Sequence, residues 1–272
     1  MMPELTETTR QTFIGIDFSG ATDAGRKIWL AVGHEWQGSL HIDWCFRAAD
    51  LPDGGEDRDT ALRAVCSFLL GQRAAIAGCD FPFALHRSQM NSVDWQSWLV
   101  QNVAPQKSAD NWREALRGER ELRRATDNEM KTPMAPLNLR VYRQTFHGLR
   151  GLLHPLVQQG ACVLPMMTAQ PESLWLVETC PASALKKAEL YAPYKGAAME
   201  LNLMRERIVQ TWQARYSLQM SPALEEKLIE DTGGDALDSV LAAWITWRIV
   251  NGRVDLTALP GSDYAVEGRV YA

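Results

Sequence analysis

The chain has 272 residues, 46% hydrophobic and 22% charged, an ordinary globular composition with length for one large domain or a domain carrying an insertion. Lys and Arg total 28 against 33 Asp and Glu, a net charge of −5, which excludes a whole-surface basic field for nucleic acid and leaves only local patches. No stretch reaches about 18 uninterrupted apolar residues and no basic-then-apolar leader opens the chain, so neither a membrane span nor a signal peptide is expected.

Residues 12–18 (TFIGIDF) are apolar on both faces except at Asp17, the pattern of a strand buried on both sides. Residues 27–33 (KIWLAVG) and 40–46 (LHIDWCF) read as the next two strands, with Gly38 in the hairpin between them. Across 59–71, Leu62, Val65, Cys66 and Leu69 fall at helical spacing, and Gly71 supplies a C-cap. Residues 74–80 (AAIAGCD) form a fourth buried strand, stopped by Pro82. Three sequential strands with short connections make an antiparallel meander; the helix then crosses to a strand parallel to its partner. Residues 86–138, rich in charge, Trp, Asn and Pro, show no strand pattern and are expected to be a helical, lid-like insertion after the fourth strand.

A helix is expected over 139–157, a fifth strand over 174–179 (LWLVET), an amphipathic helix over 198–216 and a final, nearly all-apolar and therefore buried helix over 235–250. The expectation is a single α/β domain across 1–272, a mixed five-stranded sheet flanked by helices, with the Asp17 strand at its centre. The five cysteines (Cys45, Cys66, Cys79, Cys162 and Cys180) form no Cys-x-x-Cys pair, and several sit in apolar strand contexts. They are expected to be reduced, in a cytoplasmic protein.

Three buried strands carry one acid each near their carboxyl ends: Asp17 (GIDFSG), Asp80 (GCDFPF) and Glu178 (VETCP). Ligands of open α/β sheets bind outside those ends. An acid at a strand end is commonly a turn former or an N-cap, but recurrence on three strands argues for convergence. Asp235 and Asp238 lie one turn apart at the start of the last helix, where acids favour the helix dipole. That helix is otherwise apolar, so its acids need water, a partner or a metal. Converging carboxylates repel one another unless protonated or bridged by cations, and oxygen-rich clusters suit Mg²⁺ or Mn²⁺.

The segments IGIDFSGA, AGCDFPFAL, VETCPASALK and GGDALDSVLAAW, in that order, resemble the DUF429 family, as do RRATD, NLRVYRQTFHGLRGLL, YKG and the closing EGRVYA. The resemblance runs from about Thr12 onward. It implies a ribonuclease-H-like fold and a nuclease-type activity, with Asp17, Asp80, Glu178 and Asp235 or Asp238 standing at the family's acidic positions.

The function expected is a divalent-metal-dependent nuclease or phosphodiesterase. Asp17, Asp80, Glu178, Asp235 and Asp238 would be catalytic, with metal on Asp17, Glu178, Asp235 and Asp238. Arg113, Arg117, Arg120 and Arg124 fall at roughly helical intervals, so Arg120 and Arg124 are expected to touch phosphates of nucleic acid or another phosphodiester; interleaved glutamates give the alternative of a solvated, ion-paired face. Lys195 is a further phosphate candidate. Trp95, Trp98 and Trp112 could stack bases but are expected instead to anchor the insertion to the core. Ser19 opens a glycine-containing turn (DFSGATDAG) similar to the first loop of actin-like kinases, which makes an ATP-dependent phosphotransferase one rival and a non-catalytic binding protein another.

Overall fold

The computed structural model describes residues 12–72, 74–90 and 94–272. Three strands, β1 (Thr12–Asp17), β2 (Trp29–Trp36) and β3 (Ser39–Arg47), form the antiparallel meander. Helix α1 (Arg58–Leu70), capped by the Asp57 side chain accepting from the Thr60 N–H, crosses to β4 (Ile76–Asp80), which pairs in parallel with β1. The next stretch holds α2 (Trp95–Trp98), α3 (Ala109–Leu116) and α4 (Ala125–Met130). Then α5 (Tyr142–Gly148) runs through a π-helical turn (Leu149–Leu153) into α6 (His154–Gln158).

The remaining elements are β5 (Cys162–Leu164), β6 (Trp175–Thr179), α7 (Pro181–Lys187), α8 (Met199–Arg215), β7 (Leu218–Met220), α9 (Pro222–Glu230), α10 (Asp235–Asn251), α11 (Asp263–Glu267) and β8 (Val270–Tyr271). The strand order is β5-β6-β4-β1-β2-β3-β7, with β8 beside β6, so β1 does lie at the centre. Among the described residues the sheet has eight strands and not five. The three that the sequence did not signal, β5, β7 and β8, hold only three, three and two residues, too few for any periodicity.

Side chains alternate across the sheet and build two cores. Ile14, Ile16, Ala77, Cys79 and Leu176 face α1, α5 and α6. Phe13, Ile76 and Val177 face α8, α9 and α10. Trp95, Trp98 and Trp112 are all buried in the first core, and Trp95 Nε1 donates to the Phe83 carbonyl at 2.7 Å, so the segment is anchored by its tryptophans. The arginine stripe does not form, because α3 stops at Leu116 and Gly118 follows. Arg124 lies at the start of α4 and is buried, Arg113 is tied to the Leu137 carbonyl, and Arg120 is exposed on a bend. All five cysteines are free and buried. Among the described residues no helix is long and apolar enough to cross a membrane.

Candidate functional site

Two glycines set the site. Gly15 of β1 and Gly78 of β4 are register partners on one face of the sheet. A Cβ on Gly15 would stand 2.0 Å from the Ser239 carbonyl oxygen and 2.1 Å from the Ala243 nitrogen; one on Gly78 would stand 2.2 Å from Thr246 Oγ1. Helix α10 therefore lies directly on the strands, presenting Ser239, Ala242, Ala243 and Thr246 at helical spacing. Two residues further along each strand, on the same face, come Asp17 and Asp80, themselves register partners. One turn back along α10 come Asp235 and Asp238. The close seat of the helix brings the four acids together.

The α10 acids are held by a short loop. Lys195 Nζ lies 3.0 Å from Asp235 Oδ1 and 2.8 Å from Asp238 Oδ2, and the Tyr194 hydroxyl donates to Asp238 Oδ1 at 2.6 Å. The loop is gripped by Arg205, only 1% exposed, whose Nη1 donates to the Tyr194 and Gly196 carbonyls at 2.6 and 3.0 Å. Its Nε donates to the Ile229 carbonyl at 2.7 Å. Gly234, with φ 71°, admits the same loop: a Cβ there would meet Tyr194 Cε2 at 2.9 Å, and the left-handed backbone suits glycine.

Asp17 and Asp80 differ from that pair. Asp17 is 8% exposed, and among the described residues neither carboxylate accepts a hydrogen bond. Burial holds Asp17 well above the usual carboxylate range; Lys195 opposes this, while Asp238, Asp235 and Asp80 add to it. Asp80 is pushed up to about 8, by burial first and then by Asp238, against Lys195, with Glu178 adding to the rise. Burial also raises Asp235. Lys195 is held above its ordinary value because Asp238, Asp17 and Asp235 outweigh its desolvation.

Glu178 takes the other face. Its register partner on β4 is Cys79, one residue before Asp80, so alternation turns its side chain away from α10. There Arg124 clasps it with two bonds, Nη1 to Oε2 at 2.7 Å and Nη2 to Oε1 at 2.6 Å, and the Phe83 N–H donates to Oε2 at 2.9 Å. Arg124 also binds Asp127 through Nε and Nη2, at 3.0 and 2.9 Å. Buried Glu267 accepts from the Arg87 and Ala125 backbone N–H groups, at 2.8 Å each. Burial raises Glu178 despite Arg124, whereas at Asp127 the guanidinium overcomes burial and lowers the carboxyl. A cavity of about 160 Å³ touches this network and Asp80 together.

The five expected acids thus separate into Asp17, Asp80, Asp235 and Asp238 on one face and Glu178 on the other. Arg124 cannot reach a substrate phosphate while it is saturated by buried carboxylates. Lys195 joins the cluster as a carboxylate partner. At the Ser19 turn, a Cβ on Gly20 would stand 2.5 Å from the Arg143 carbonyl oxygen, and the Ala21 N–H donates to Ser19 Oγ at 3.3 Å, so packing fills the turn. Arg205 escaped sequence reasoning because it reads as the polar side of an amphipathic helix. Tyr194 and Glu267 lay inside recognised segments without a role.

Among the described residues, no three His, Cys, Asp or Glu side chains form a group ready to hold a metal. A complete protein cage for Mg²⁺ is therefore absent from the described residues. The unpartnered Asp17–Asp80 pair still fits a hard divalent ion, because Mg²⁺ is commonly held by one or two carboxylates with water and substrate oxygens.

A family model described as DUF429, protein of unknown function, matches residues 15–264. No curated protein and no solved structure matches the chain.

Proposed function

The chain belongs to the DUF429 family, and from that premise we propose that it is a divalent-metal-dependent phosphodiesterase of ribonuclease-H-like fold, with nucleic acid as the substrate class. The topology supports the fold reading: a three-stranded meander, a helix, then a strand parallel to the first, with acids at the carboxyl ends. The observation that carries the function is the Asp17–Asp80 pair, Asp17 buried and Asp80 half-buried beside it, without hydrogen-bond donors among the described residues and facing two further acids on α10.

Such a cluster repels a phosphodiester until cations neutralise it. Asp17 and Asp80 would hold the ion, which when bound supplies charge neutralisation and lowers the pKa of water. Tyr194 and Lys195 keep Asp238 oriented, and the exposed side of the Lys195 ammonium can meet a phosphate oxygen. Arg120 is exposed and free to act on substrate affinity.

The test is cleavage of labelled single-stranded and duplex DNA and RNA, with Mg²⁺ or Mn²⁺ and with chelator. Asp17→Asn should lower turnover by about 10²-fold or more by removing a ligand charge. Arg120→Ala should act on affinity, more strongly at low salt. Activity that survives chelator, or an Asp17→Asn variant as active as the parent, rejects the proposal. Saturable nucleotide binding without cleavage would favour the phosphotransferase reading.

A further inference from the structure

We propose that Lys195 is a tethered cation standing in the place of a second metal ion, so that this centre takes one divalent ion where paired-metal phosphodiesterases take two. The inference rests on the functional reading above and concerns how the same site is charged.

The two halves of the cluster are provisioned differently. On the α10 half both oxygens of Asp238 are taken, Oδ1 by the Tyr194 hydroxyl and Oδ2 by Lys195, and Asp235 Oδ1 is shared with the same ammonium. On the strand half, Asp17 is more than nine-tenths buried and receives no hydrogen bond among the described residues, and Asp80 beside it receives none. A buried carboxylate without donors asks for a cation; one that already holds a hydroxyl and an ammonium does not. Paired catalytic metals sit about 3.5–4 Å apart and need carboxylates on both sides. Here the carboxylates on one side are already bridged by a positive charge.

The lysine is fixed in place. The carbonyls before and after it are both gripped by buried Arg205, and the Gly196 N–H donates to the Thr232 carbonyl at 2.7 Å. The stem passes the Cβ-less face of Gly234, where an added Cβ would lie 3.1 Å from Lys195 Cγ. A surface lysine that merely drifts over an acidic patch needs none of this support. Its side chain is 47% exposed, so the ammonium keeps a face toward incoming substrate, as a second metal would.

The experiment is Mn²⁺ titration of the full chain, followed by calorimetry and by electron paramagnetic resonance. The parent should bind one Mn²⁺ per chain, without the signal of a spin-coupled pair at saturation. Lys195→Met, which vacates the position, should bind two and develop the coupled signal. Lys195→Arg should still bind one, and Asp17→Asn should lose the tight site, with Kd rising at least tenfold.

A coupled Mn²⁺ pair in the parent overturns the inference whether or not any variant folds. So does a Lys195→Met chain that unfolds at the parent's temperature yet binds one ion, and so does absence of tight Mn²⁺ binding in the parent. The phosphodiesterase reading fails separately: a one-to-two change in stoichiometry with no cleavage of any nucleic acid supports the lysine assignment and rejects that activity.

Discussion

The two faces at the carboxyl end of the sheet use the same material to opposite ends. Toward α1 and α5, Asp127 and Glu178 surround one guanidinium, and Glu267 beside them is taken up by backbone N–H groups. Toward α10, four carboxylates share one half-exposed ammonium, and two of them have no hydrogen-bond donor among the described residues. A closed network of satisfied charges fixes chain segments to one another. An undercharged cluster carries a standing electrostatic cost that a bound cation relieves. The difference separates a structural site from a chemical one more sharply than acid content does.

The largest break in this comparison should come from Arg124→Met, which leaves buried Asp127 and Glu178 without a countercharge. We expect a loss of about 3–5 kcal/mol in stability, read from urea denaturation. Next is Gly15→Ala, which drives a methyl into the α10 backbone at 2.0 Å. It should cost about 1–3 kcal/mol, or more, by overpacking, and should weaken Mn²⁺ binding through displacement of Asp235 and Asp238. A stable Gly15→Ala protein with unchanged Mn²⁺ affinity would show that the seat of α10 does not set the site.

Asp17→Asn should act in the opposite direction to Arg124→Met. Removing a charge from a repelling cluster should raise stability by about 0.5–2 kcal/mol without metal while activity falls. Thermal unfolding of both variants in chelator checks the contrast in sign.

The last contrast is one of pH. The Asp80 carboxyl sits at about 8 in the folded chain and near 3.8 as a free group. Its contribution is complete below about pH 4, since both states are then protonated. It is lost as pH rises toward 8, because the unfolded chain releases its proton first. The slope from one such group cannot exceed about 1.4 kcal/mol per pH unit. Asp80→Asn should remove that slope, so the stability of the variant relative to the parent should increase from pH 4 to 8. Parallel stability curves would contradict this.

Much of this arrangement could be read from residues alone. β1 announced itself by an apolar run too dense for an exposed strand, and α10 by its continuous apolar surface with two acids at the start. Glu178 was misjudged for a physical reason. Strands buried on both faces have no polar alternation, so LWLVET and AAIAGCD carry no mark of which residues point together, and a one-residue offset in register sends the carboxylate to the far side. The segment 86–138 hid its short helices because α2 and α4 hold only four and six residues. The clamp by Arg205 was invisible because its partners are backbone carbonyls, which every residue has.

The glycine seat under α10 also bears on when the site can exist during synthesis. Asp17 emerges early and sits on the central strand, yet its partners on α10 lie more than 200 positions later in the chain. Contacts so distant in sequence are slow to form, and their closure entropy grows with the logarithm of the separation. Until α10 docks, the nascent sheet exposes a glycine furrow with a pair of unattended carboxylates at its rim. The four-acid centre, with its lysine, is therefore complete only when nearly the whole chain has been made, although the Asp17–Asp80 pair is in place as soon as β1 and β4 have paired.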